Sequence, residues 1–255
     1  TMSGSHVHAL YRHGHSPLHQ VAPQVKIVAA FGLVCAIALT PRTAIWAFVA
    51  YAAIVAALIA VARLPAGFIA RRAIVLVPFL LVAMLLPVVG SGDRVEVLGL
   101  SLSEQGLWDM WNVFAKAGLG FLVAVVLAGT TEVADLLRGL DALHMPRIVT
   151  SIVGFAVRYI DIVGADFGRM RIALASRGYQ GRSLATWGIY ARTVGSVFVR
   201  TYERGERIYL AMLSRVYTGS MPDSAAITVP VGQWVAATVL VGIAATVMVA
   251  ARGLL

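Results

Sequence analysis

The sequence predicts an all-α integral membrane protein. About five transmembrane helices are expected, with three cytoplasmic helices, the last two long and crossing. Three observations predict this. Of the 255 residues 59% are hydrophobic, and the mean hydropathy of +0.82 is far from a soluble average. The apolar residues gather in five runs close to the roughly 17 to 25 residues that span a bilayer. The formal charge of +9, nearly all of it Arg, falls between those runs and above all in one polar block near the C-terminal end.

Residues 1–24 are polar and His-rich. They lack the basic-then-apolar run and small-residue cleavage site of a secretory signal. The first span, Val25–Leu39, is the shortest. Cys35, the single cysteine, sits in its middle, so no intramolecular disulfide can form and a small buried hydrophobe is the expected role. Pro41-Arg42-Thr43 turns into the second span, Ala44–Ala62. Arg63, Arg71 and Arg72 flank the link to the third, Ala73–Val89. Gly90–Gly106 carries Asp93, Glu96 and Glu104 against Arg94. Leu107–Ala128 completes a four-helix transmembrane region, residues 25–129. A polar region, residues 130–220, then precedes the last span, Val231–Ala251.

Cytoplasmic loops of membrane proteins carry excess Lys and Arg. That rule places the N-terminus, the Arg63–Arg72 loop and residues 130–220 in the cytoplasm of a multi-pass cell-membrane protein. Pro41–Thr43 and Gly90–Gly106 are then external. The same rule accounts for the basic balance without nucleic acid. The chain has no zinc finger, no RNA-binding aromatic motif and no basic tail, so no nucleic-acid partner is expected.

The polar region resolves into three helices. The first runs from Glu132 to Leu143, with Thr131 as N-cap and Glu132 and Asp135 suited to the positive end of the dipole. Val133, Leu136, Leu137, Leu140 and Leu143 form its apolar stripe. His144 reads as a helix-end residue. The second helix opens at Pro146 and runs to Arg177, with Gly178 as its stop. Its first half is apolar on nearly every face except Arg158 and Asp161, which are spaced to pair. Those charges make a sixth crossing there costly. The third helix runs from Leu184 to Arg215 with a stripe of Phe198, Tyr202, Gly205, Tyr209, Met212 and Val216, and Glu203 and Arg207 are spaced to pair. Gly154, Gly164 and Gly168 in one helix, and Gly188, Gly195 and Gly205 in the other, suggest close backbone approach at a crossing.

Catalytic patterns are missing. No phosphate loop, Gly-x-Ser-x-Gly or His-Glu-x-x-His occurs, so no enzyme activity and no bound cofactor are expected. Lys116 could be a buried functional charge, but snorkelling or pairing with Asp109 is favoured. His6, His8, His13 and His15, followed by His19, have a spacing at which imidazoles can take a transition metal. No carboxylate or thiolate accompanies them, and Pro17 interrupts regular presentation. A plain polar terminus is favoured over a metal site.

One motif occurs twice. Ser176-Arg177-Gly178-Tyr179-Gln180-Gly181 recurs as Ser214-Arg215-Val216-Tyr217-Thr218-Gly219, each copy ending a long helix. A guanidinium at a helix C-terminus suits the dipole and also offers a planar fork of donors to a partner. Val216 replaces Gly178 in the second copy, and a β-branched residue disfavours positive φ. The third helix is therefore expected to run on towards Gly219.

With these motifs, the chain resembles the transmembrane T component of energy-coupling-factor transporters, the cobalt-type CbiQ/EcfT group. Other matching pieces are Ser16-Pro17-Leu18-His19, Pro23-Gln24-Val25-Lys26, Leu136-Leu137-Arg138, Met145-Pro146-Arg147, Arg158-Tyr159, Met170-Arg171 and Tyr202-Glu203-Arg204-Gly205-Glu206-Arg207. The resemblance covers essentially the whole chain. It implies a non-catalytic scaffold whose cytoplasmic helices couple it to two ABC ATPase subunits, or to one fused ATPase chain. It also implies a membrane-embedded substrate-binding S component for cobalt, nickel or a vitamin. ATP and Mg belong to the ATPases. The docking residues so implied are Ser176, Arg177 and Gly178 at one tip and Ser214 and Arg215 at the other. The alternative is an autonomous channel or secondary carrier. It calls for inverted repeats or intramembrane charges, which are not evident here. An intramembrane enzyme would have little beyond Cys35 and Lys116 to build on.

Overall fold

A computed structural model describes residues 16–90, 94–97, 100–179, 187–217 and 229–253. The chain divides into two compact units. One contains Tyr11–Gly139 and Ile227–Leu255, and the other contains Leu140–Ala226.

The first unit is a helical bundle. Short α1 (Pro17–Gln20) and α2 (Pro23–Leu39) both open on a proline, whose missing N–H costs nothing in the first turn. α3 spans Ile45–Ala62. α4 (Ala66–Ala73) passes through a 3-10 turn, Ile74–Leu76, into α5 (Val77–Val89). A hairpin follows, which the all-helical expectation did not contain. In it β1 (Arg94–Val97) pairs antiparallel with β2 (Leu100–Ser103), Arg94 opposite Ser103. α6 (Glu104–Thr130) begins where the Ser103 hydroxyl accepts from the Gly106 N–H, at 3.2 Å. α7 spans Val133–Ala142, its last three residues belonging to the other unit, and α10 spans Val231–Gly253.

Five helical stretches are long and apolar enough to cross a membrane: Ile45–Ala62, Ala66–Val89, Glu104–Thr130, Ile148–Ser176 and Val231–Gly253. The number matches the expectation but the membership does not. α2, at 17 residues, falls short, and the helix containing Ile148–Ser176 qualifies instead. α2 nonetheless sits in the core. Leu33, Ala36 and Ile37 pack with Phe48, Tyr51 and Val55 of α3, Leu119 and Val123 of α6, and Ala244 of α10. The Tyr51 hydroxyl donates to the Ala244 carbonyl at 3.1 Å, tying α3 to α10 with its polar end satisfied.

Other expectations shift here. Cys35 is only partly buried. Asp109 pairs with Arg42 at 2.5 Å rather than with Lys116. Lys116 donates to the Ala38 carbonyl at 2.8 Å, giving its ammonium a backbone acceptor near the end of α2. Thr131 closes α6 instead of opening α7, and its hydroxyl accepts from Lys26 at 3.3 Å. Gly106 permits the tightest contact between α5 and α6: a Cβ there would lie 2.4 Å from the Leu86 carbonyl oxygen.

The second unit is built on two long helices, α8 (Arg147–Ser176) and α9 (Trp187–Leu213). At 1.5 Å per residue they extend about 45 and 40 Å. They run in opposite senses. Met170 of α8 meets Ser196 of α9 at 3.7 Å, and Asp166 meets Arg204 at 3.4 Å. Tyr159 and Val163 share a cleft with Ile208 and Met212. The glycines do not make the contact. A Cβ at Gly154, Gly164, Gly168, Gly188, Gly195 or Gly205 would meet nothing within 4 Å. Phe198, Tyr202 and Tyr209 of the stripe along α9 are exposed.

Candidate functional site

The two copies of the repeated motif end α8 and α9 in the same way. In the first, the Gly178 N–H donates to the Ala175 carbonyl at 3.0 Å and the Tyr179 N–H reaches back to the Leu174 carbonyl at 3.1 Å. In the second, the Val216 N–H donates to Leu213 at 3.0 Å and the Tyr217 N–H to Met212 at 3.1 Å. This is the Schellman closure, which satisfies carbonyls left over at a helix end. It needs a left-handed residue after the cap. Gly178 supplies φ 84° and Val216 supplies φ 62°.

The expected run-on of α9 towards Gly219 is therefore overturned at its first step. Helix α9 closes at Val216, because two backbone hydrogen bonds outweigh the steric cost of a β-branched residue at positive φ. The same closure, with His144 at φ 61°, ends α7, and with Arg63 at φ 53° it ends α3. His144 is thus the helix-end residue it was expected to be.

The serines match as well. Ser176 Oγ donates to the Ala173 carbonyl and Ser214 Oγ to the Ala211 carbonyl, each at 2.9 Å. Both hydroxyl protons are thereby committed within their own helix. Arg177 and Arg215 are exposed, and among the described residues no ion pair holds either guanidinium. Each tip thus places an exposed cation on a closed helix end, with no ion-pair partner among the described residues. Because α8 and α9 are antiparallel, the tips lie at opposite ends of the pair. At the Arg177 end Tyr179 and Tyr190 line one surface cleft, and towards the opposite end Met212 and Phe155 line another.

Asp166 was not singled out from the sequence. It pairs with Arg169 one turn on and with Arg204 on α9. The i, i+3 spacing to Arg169 was the available signal. The pairings that spacing suggested for Arg158 with Asp161, and for Glu203 with Arg207, are not made among the described residues. A side chain that can reach a second helix gains two cations, whereas one confined to its own turn gains one.

The bundle of the first unit forms a half-open cleft of about 350 Å3 between α2, α3, α6 and α10. Its walls are apolar except for Lys26, Thr130 and Gln233. Lys26 is 7% exposed and donates to the Thr130 carbonyl at 3.0 Å and the His19 carbonyl at 3.3 Å. Among the described residues, no carboxylate, imidazole or thiolate lines the cleft. Among the described residues, no three His, Cys, Asp or Glu side chains gather as a metal site. His6, His8, His13 and His15 lie outside the described residues, as do Gln180, Gly181, Thr218 and Gly219.

The model of the CbiQ family, described as a cobalt transport protein, matches residues 14–225, from the start of α1 past both tips. The chain belongs to the CbiQ cobalt transport protein family. It is a multi-pass membrane protein of a transport family. A fused cobalt transport protein, CbiMQ, of Methanocorpusculum labreanum is 24% identical over 220 residues, 81% of this chain and 36% of that relative. An uncharacterized Methanocaldococcus jannaschii protein, MJ1571, is 27% identical over 123 residues, 48% of this chain and 42% of that one. A second uncharacterized protein of that organism, MJ1089, is 24% identical over 130 residues, 50% of this chain and 48% of that one. The matches span less than half the length of each of these relatives.

Proposed function

We propose that this CbiQ family member is the non-catalytic T component of an ATP-driven importer. Its tips dock two cytoplasmic ABC ATPases, or the two halves of one fused chain. Its membrane helices support a separate substrate-binding S component for cobalt, nickel or a vitamin. ATP and Mg act on the ATPases. The N-terminus and α7 to α9 face the cytoplasm.

The observation that carries this reading is the pair of matched tips. Two exposed Arg residues on equivalent helix closures are what two equivalent partners would grip. Exposed apolar residues on the helices between them support it. Ile148, Ile152, Ile160, Phe198 and Tyr202 all face outward. That much exposed apolar surface calls for a partner or a lipid boundary. The relative named as a fused cobalt transport protein supports a membrane partner, since its chain extends well beyond the part that matches. An autonomous cation carrier is less well supported: among the described residues, the bundle cleft presents an ammonium and no anionic group.

The test is co-purification with the ATPases after Arg177→Glu and Arg215→Glu, singly and together. Each reversal is expected to weaken assembly on the order of tenfold or more, as loss of an interfacial Arg anchor does. The double variant should abolish ATP-coupled uptake. Full assembly and uptake by that variant would refute docking. Uptake by the purified chain alone would favour the carrier.

A further inference from the structure

The two tips share a backbone closure, and at its left-handed position they carry different residues. Where the first has Gly178, the second has Val216, 83% exposed beside Arg215. Among the described residues, Arg63, His144 and Val216 are the non-glycine residues at positive φ, and only Val216 is β-branched. Glycine would make the same closure without steric opposition. The isopropyl group also leaves apolar area in water instead of burying it. Within the chain, Val216 therefore opposes the closure it sits in and packs on almost nothing.

We infer that Val216 is a selectivity residue, which fits the second tip to an ATPase surface with an apolar recess beside the acceptor for Arg215. The first tip, with bare backbone at Gly178, fits a surface that closes flat over the glycine. The two tips are then not interchangeable, despite equivalent backbones and equivalent Arg residues. This rests on the docking reading above and adds what distinguishes one dock from the other. The partner surfaces are accordingly two different ATPases, or two non-identical halves of one fused chain.

The experiment uses the full chain in nanodiscs with its ATPases, in a Cys35→Ser background. A benzophenone maleimide is attached at Ala173→Cys or Ala211→Cys, matched exposed positions one turn before each Arg. Val216→Gly is expected to lower ATPase capture from Ala211→Cys by about tenfold, the worth of burying one valine side chain. Capture from Ala173→Cys should not change. Val216→Asn, which tolerates the left-handed region and keeps a side chain while losing the apolar surface, should behave the same way. A loss with Gly but not with Asn would trace the effect to backbone loosening and overturn the inference. So would unchanged capture with both variants while Arg215→Glu abolishes it, an outcome that leaves docking intact. Unchanged capture with Arg215→Glu as well would overturn docking itself.

Discussion

Lys26 is a buried ammonium whose acceptors are mainly backbone oxygens. It donates to Thr130, at the C-terminal end of α6, where the helix dipole is negative. Replacing it by Met keeps much of the stem volume but leaves the Thr130 carbonyl without its donor. Unsatisfied buried polar groups cost about 1–3 kcal/mol. Lys26→Met is therefore expected to lower the melting temperature in detergent by several degrees without touching either tip. An unchanged melting curve would show that the contact contributes nothing net. Val216 acts in the opposite direction. A non-glycine residue held in the left-handed region stores on the order of 1–3 kcal/mol. Val216→Gly relieves that strain but gives back part through the freer unfolded chain. Amide exchange around Tyr217 should slow by a few-fold. Faster exchange would mean that the closure does not strain Val216. The sequence showed the conflict at Val216 and resolved it wrongly, because steric preference is local whereas the hydrogen bonds that override it reach back to Met212 and Leu213.

At the scale of elements, α8 and α9 are joined by few contacts, and polar ones are prominent. Asp166 with Arg204 is the ion pair between them among the described residues. Both side chains are more than a quarter exposed, so the pair is worth at most about 1 kcal/mol. Asp166→Arg should nevertheless place three cations together, the introduced guanidinium lying beside those of Arg169 and Arg204, and drive the helices apart. Restoring the attraction with Arg204→Asp should recover ATP-coupled uptake to at least half of the unmodified level. A double variant no better than the single one would remove the pair from the coupling path. Helix identities and most of their bounds were legible in the sequence, since apolar runs, Pro146 and Gly178 mark them. The helix–helix contact was not. Glycine spacing is compatible with close approach but does not demand it, and the observed contact depends on side chains brought together from residues far apart in sequence. The hairpin between α5 and α6 was equally hidden, because four-residue strands give little periodicity to read.

For the whole molecule, the decisive question is which side of the membrane each end of α8 occupies. By length and composition Ile148–Ser176 could cross. Its charges argue against crossing: Arg158, Asp161, Asp166, Arg169 and Arg171 all lie within it, and a charged side chain at the bilayer centre costs about 2.5–3.5 kcal/mol even on insertion scales. Its neighbour argues more strongly. α9 runs antiparallel beside α8, so submerging α8 would draw Arg200, Arg204 and Arg207 into the membrane with it. Both helices are therefore expected to stay on the cytoplasmic side, which the coupling reading also requires, since a crossing α8 would leave only one tip within reach of a cytoplasmic ATPase. In a Cys35→Ser background, His144→Cys and Tyr179→Cys mark the two ends of α8, and Thr43→Cys marks the expected outer face. A membrane-impermeant maleimide should label both α8 positions only in inverted vesicles, and Thr43→Cys only in right-side-out ones. Labelling of His144→Cys and Tyr179→Cys from opposite sides would make α8 a true span and leave the two tips unable to share one pair of motors.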